Sequence, residues 1–155
     1  MPDPRRFACV VSDPGTWTRV EPGVRRLPTV FEQHRALSSW ASRLGGVADD
    51  VPVVVDPGDP AHDARSIAEV ARVPAIDGVL CFSTECITCP TGFDLATVVR
   101  TWGLVGFLGF LVEDLAISDD ASLGEVLEML VVVDQVGGRD RDQRWTELVM
   151  TGAFP

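Results

Sequence analysis

The chain has 155 residues, of which 46% are hydrophobic, and a formal net charge of −10 at pH 7. This length suits one domain with a single core, and the apolar fraction excludes a disordered chain. The acidic balance argues against binding to nucleic acid or an anionic membrane, since both are bound mainly through Lys and Arg. No run approaches the roughly 18–20 apolar residues of a membrane span, and the start lacks the apolar core of a secretory signal. We therefore expect a single domain over residues 1–155, located in the cytoplasm.

Four apolar segments have the length and the β-branched content of buried strands. In chain order they are Phe7–Ser12, Val51–Asp56, Gly78–Ser83 and Leu104–Val112. The glycines of the last segment would also suit a tightly packed helix. We favour a strand there, because Gly103 has the position of a glycine that ends the preceding helix.

Amphipathic segments separate and follow these strands. They are Thr29–Leu44, Asp63–Val73, Asp94–Trp102, Ser122–Val136 and Asp140–Met150. The predicted order is β-α-β-α-β-α-β-α-α. Continuous apolar strands that alternate with helices are typical of an α/β fold with a doubly wound, mainly parallel sheet. We expect about four strands with helices on both faces of the sheet.

Acidic residues lie at the ends of all four predicted strands. Asp13 follows the first strand, Asp56 ends the second and precedes Asp59, Glu85 follows the third, and Glu113-Asp114 follow the fourth. Because ligands of parallel sheets bind at the carboxyl ends of the strands, we expect these side chains to converge there. Clustered carboxylates suit a divalent cation such as Mg²⁺, and their mutual repulsion raises the pKa of one of them towards the range of acid–base catalysis. The alternative is that they are ordinary helix caps and loop residues.

The third strand runs into the segment Cys86-Ile-Thr-Cys89. This arrangement resembles the thioredoxin-like redox motif over a short stretch, but it has Ile-Thr between the cysteines and a proline directly after them. In a redox pair Cys86 would be the exposed, attacking thiolate and Cys89 the resolving thiol. The alternatives are two ordinary thiols, or zinc binding by both sulfurs that is completed by His62, Asp56 or another residue.

The other cysteines and histidines have simpler interpretations. Cys9 and Cys81 lie within apolar strands, and we expect them to be buried and unreactive. His34 falls among polar residues of the first helix and is expected at the surface. His62 lies near the end of the second strand and is the better candidate for the site.

The sequence therefore predicts a small-ligand or metal-binding domain with thiol-redox or metal-assisted chemistry. Asp56, Glu85 and Cys86 are the candidate catalytic residues, and Asp13, His62 and Cys89 the candidate ligand-binding residues. The chain contains no lysine, no G-x-G-x-x-G and no Walker loop, which argues against a Schiff base and the standard nucleotide motifs. Cofactor, substrate and enzymatic status stay open. The alternative is a non-catalytic regulator that uses an acidic face and its last two helices to bind a basic protein or to form a homodimer.

Overall fold

The computed structural model describes residues 3–12, 29–55, 69–70, 72, 75–83, 86, 102–112 and 114–136. These residues contain the strands and helices β1 (Arg5–Ser12), α1 (Val30–Arg43), β2 (Gly46–Ala48), β3 (Val53–Val55), β4 (Gly78–Cys81), β5 (Leu108–Phe110), β6 (Leu115–Ile117) and α2 (Asp120–Val136). Within this part of the chain, no helix is long and apolar enough to cross a membrane.

The six strands form one sheet in the order β2-β1-β4-β5-β6, and β3 also pairs with β1. β2 pairs with the first half of β1 and β3 with its second half, so both lie on the same side of β1. β4 lies on the other side of β1 and is followed by β5. All these pairs are parallel, whereas β6 is antiparallel to β5. The predicted α/β class and the largely parallel sheet are confirmed.

The strand prediction needs two corrections. The described residues contribute six strands to the sheet and not about four, since β2 and β6 are three-residue strands that no sequence pattern marks. The predicted strand Leu104–Val112 begins only at Leu108, and residues 102–105 are helical. Gly103 therefore does not end this helix. Gly106 does, because it has φ +74° and its N–H donates to the Trp102 carbonyl at 2.8 Å, which is a common glycine C-terminal geometry.

Helix α1 covers one face of the sheet. Its position confirms the helix predicted over Thr29–Leu44. Thr29 is its N-cap, and the Thr29 hydroxyl accepts the Glu32 N–H at 3.1 Å. Leu37 and Ala41 are fully buried. The ring of Trp40 lies over Gly109 of β5, where an added Cβ would come within 2.5 Å of the indole. Gly109 therefore allows the helix and the sheet to approach closely.

The opposite face of the sheet is equally buried. Val10 of β1, Cys81 of β4 and Phe110 of β5 project to this face and are fully inaccessible. Both faces of the central strands are therefore removed from water, as the continuous apolar pattern of these strands predicts.

Helix α2 begins at Asp120, two residues before the predicted start, and packs beside β6. Asp119 accepts the Ser122 N–H at 2.7 Å, and the Ser122 hydroxyl accepts the Asp119 N–H at 3.0 Å. This reciprocal pair is a capping box with serine in the usual Glu position. The predicted helix Asp140–Met150 lies outside the described residues, as do most of Asp63–Val73 and Asp94–Trp102.

Candidate functional site

The carboxyl ends of the parallel strands share one edge of the sheet. Ser12 at the end of β1 is in register with Val55 at the end of β3, and Cys81 of β4 is in register with Phe110 of β5. In the chain, Ser12 and Val55 directly precede two of the predicted carboxylates. The candidates Asp13, Asp56, His62, Glu85 and Cys89 themselves lie outside the described residues. Their convergence at this edge stays a prediction.

The strand order places a topological switch point between β1 and β4. From β1 the chain passes through α1 to β2 and β3 on one side, and the next strand in this part of the chain, β4, lies on the other side of β1. In open parallel sheets, the loops that leave the strands diverge at such a point and leave a crevice. The residues around the ends of β1 and β4 are therefore the described part of the candidate site.

At this point the side chain of Gln33 separates β1 from β4. The Phe82 N–H still donates to the Val10 carbonyl at 2.9 Å, so the two strands are paired up to there. One rung later, the Ser12 N–H donates to Gln33 Oε1 at 3.0 Å, and Gln33 Nε2 donates to the Ser12 carbonyl at 2.9 Å. In a strand, the backbone N–H and carbonyl groups of alternate residues point to the same side. Those of Ser12 therefore point towards β4, as those of Val10 do. The amide of Gln33 therefore makes the two hydrogen bonds that the next residues of β4 would otherwise make.

Cys86 packs against the same strand end from the β4 side. The Cys86 N–H donates to the Ser83 carbonyl at 3.1 Å. The Cys86 sulfur lies 3.5 Å from the Ser12 hydroxyl, and the thiol donates to the Val10 carbonyl over 3.5 Å. Ser12, Gln33, Ser83 and Cys86 are all buried, and we call these four residues the switch-point cluster.

A redox pair would require Cys86 to be the exposed, attacking thiol. Its side chain is instead 0% exposed, because it packs against Ser12 and Val10 of β1. The thiol donates to the Val10 carbonyl over 3.5 Å. In this conformation the Cys86 sulfur is therefore not accessible from solvent.

Gln33 is the residue that sequence analysis missed. The signal was present, since Gln33 interrupts the apolar stripe of α1 one turn before Leu37. A polar side chain at a core position needs a hydrogen-bonding partner, and the end of a strand that lacks a neighbouring strand can supply one. Ser83 ends the predicted third strand, and nothing in the sequence distinguishes it as a site residue.

The predictions for the other described cysteines and for His34 have clear outcomes. Cys9 and Cys81 are buried, as predicted. Burial, with a smaller effect from the charge of Asp49, raises the pKa of Cys9 to about 12, so this thiol stays protonated. His34 was expected at the surface, but it is half-buried, and its Nε2 lies 2.8 Å from the Asp49 carbonyl oxygen.

The side chains of the switch-point cluster are buried and hydrogen-bonded within the protein, so the cluster fixes the ends of β1 and β4. Among the described residues, no group of three or more His, Cys, Asp or Glu side chains could hold a metal ion.

Comparisons with known proteins give no further identification. No family model, no curated protein and no solved structure matches this chain.

Proposed function

We propose that this protein binds a small ligand at the carboxyl edge of a doubly wound sheet, where Asp56 and Glu85 hold a divalent cation and Asp13 contacts the ligand. The parallel direction of β1, β3 and β4 supports this proposal, because these strands lead towards the three carboxylates. The burial of both sheet faces supports a doubly wound arrangement with helices on each side. The proposal retains the cytoplasmic location expected from the sequence.

The observation that carries the proposal is the separation of β1 from β4 at Ser12. A sheet that only needed stability would continue the ladder with backbone hydrogen bonds. Here the Gln33 amide takes over that rung, so the buried Ser12 N–H and carbonyl stay paired although β4 no longer bonds to β1 there. We place the ligand at the strand ends next to the switch-point cluster.

The proposed roles differ from residue to residue. Asp56 and Glu85 bind the cation or transfer protons, while Asp13 and His62 bind the ligand. Cys86 contributes its thiol to the base of the site, next to Ser12. A redox step with Cys89 would first require Cys86 to leave its contacts with Ser12 and Val10.

Titration of the full-length protein with Mg²⁺, followed by calorimetry, tests this proposal. We expect saturable binding that Asp56→Asn weakens at least about tenfold, as does Glu85→Gln, because each substitution removes a charged oxygen ligand. Asp50→Asn is the matched control. Asp50 is exposed and lies between β2 and β3, at the end of β3 that is away from the carboxyl edge. Absence of Mg²⁺ binding, or equal weakening by Asp50→Asn, would contradict the proposal.

A further inference from the structure

The sheet edge formed by β2 and β3 borders a groove that is separate from the switch point. The groove has a volume of ≈ 630 Å³, and we call it the outer-edge groove. Its described lining residues are Asp3, Pro4, Arg6, Val47, Ala48, Asp49, Asp50 and Val51. Among the described strands, β2 and β3 pair only with β1, so their outer side carries no further strand.

A bulge between β2 and β3 forms one wall of this groove. Ala48 is opposite Phe7 and Val53 is opposite Val10, so residues 49–52 face a shorter stretch of β1. The extra residues therefore project away from the sheet.

Asp49 fixes this bulge through its backbone and its side chain. Its N–H donates to the Phe7 carbonyl at 2.8 Å, and its own carbonyl lies 2.8 Å from His34 Nε2. Its carboxylate pairs with the Arg6 guanidinium at 2.7 Å. The wall of the groove is thus held in place before any partner binds, which lowers the entropic cost of binding.

The groove combines exposed apolar side chains with excess negative charge. Val51 is 81% exposed, Val47 54% and the neighbouring Val54 46%. Asp3 and Asp50 are exposed, and Asp49 already neutralises Arg6. The described lining thus has three carboxylates against one guanidinium. Both features suit a partner that presents cationic and apolar side chains together.

We infer that the outer-edge groove binds an extended segment of another protein in which Lys or Arg alternates with apolar residues. The excess of carboxylates disfavours a second copy of this acidic chain and disfavours nucleic acid. Pro52 and the bulge obstruct regular strand addition, because both interrupt a hydrogen-bonding edge. Recognition therefore depends on side chains: the valines contact the apolar residues of the segment, and Asp3 and Asp50 attract its cations.

Fluorescence anisotropy with a labelled peptide, acetyl-(Val-Lys)₄-amide, tests this inference on the full-length protein. We expect saturable binding that is lost for acetyl-(Val-Glu)₄-amide. The double variant Asp3→Asn/Asp50→Asn should weaken binding about fivefold, the scale of two exposed charge pairs. Val51→Ser should weaken it separately. The matched control Glu125→Gln/Glu128→Gln removes the same charge from the exposed side of α2 and should leave binding unchanged.

Four results would overturn the inference. The first is that Asp3→Asn/Asp50→Asn and the α2 control weaken peptide binding equally, which would indicate attraction to net charge alone. The second is that Val51→Ser binds the peptide as tightly as the native protein. Displacement of the peptide by equimolar spermine would indicate a site for small cations. A dimer in solution that Val51→Asp dissociates would assign the groove to a second copy of the chain. None of these results bears on Mg²⁺ binding at the carboxyl edge.

Discussion

At the scale of single residues, Gln33 has the clearest structural role. Its amide replaces a rung of the β1–β4 ladder and pairs two buried backbone groups of Ser12. An apolar side chain at position 33 would leave the Ser12 N–H and carbonyl buried and unpaired. Each unpaired group lowers the free energy of unfolding by about 1–3 kcal/mol.

We therefore predict that Gln33→Leu lowers the free energy of unfolding by about 3 kcal/mol, although leucine suits a helix and a core position. Urea denaturation of both proteins measures the difference. Arg35→Leu, on the exposed side of the same helix, is the control and should change stability by less than about 0.5 kcal/mol. A Gln33→Leu protein as stable as this control would show that the Ser12 pairing contributes little.

The cysteines give a second test at the residue scale. Cys9, Cys81 and Cys86 are buried, and Cys86 is held between Ser12 and Val10. We expect iodoacetamide to label all three slowly in the folded protein and rapidly in urea, as mapped by mass spectrometry. Rapid labelling of Cys86 under native conditions would contradict its burial and show that the thiol is accessible.

At the scale of elements, the cap of α2 links helix stability to pH. Hydrogen bonds from the Ser122 backbone, and secondarily from its side chain, hold the pKa of Asp119 below its ordinary value of 3.8. Because the folded pKa is the lower one, the ionised cap stabilises the folded protein above the ordinary value. That contribution is lost as the pH falls through the folded pKa.

Comparison with Asp119→Asn isolates this effect, since asparagine also caps helices but does not titrate in this range. We predict that the native protein melts at a higher temperature than the variant and that this difference is largest near neutral pH. The difference in melting temperature should shrink below about pH 4. A gap that is constant from neutral to acidic pH would mean that the charge of Asp119 does not stabilise α2.

The elements also show what the sequence could reveal. Phe7–Ser12 and Thr29–Leu44 were predictable, because a continuous buried strand and a capped amphipathic helix leave strong local patterns. The strand β2 was not, since three residues carry no periodicity and depend on pairing with β1. The same holds for the end of the helical turn before β5, where Gly103 and Gly106 look alike in sequence and only φ distinguishes them.

At the scale of the whole molecule, parallel strands bring distant parts of the chain to one edge. Ser12 and Val55 are neighbours there, although 43 positions separate them in sequence. The parallel direction of the predicted strands is sufficient to predict that their carboxyl ends share this edge. It could not predict the switch-point cluster, because Gln33 and Cys86 meet Ser12 only through tertiary packing.

The central claim is that a divalent cation binds at the carboxyl edge, and paramagnetic broadening by Mn²⁺ tests it most directly. With β1 eight residues long, its two ends are about 23 Å apart at a rise of about 3.3 Å per residue, so broadening by a bound ion distinguishes them. We predict that substoichiometric Mn²⁺ broadens the amide signals of Ser12, Val55 and Ser83 and spares those of Arg6, Val47 and Gly78. Broadening centred on Arg6 and Val47, or spread evenly over the chain, would contradict the account.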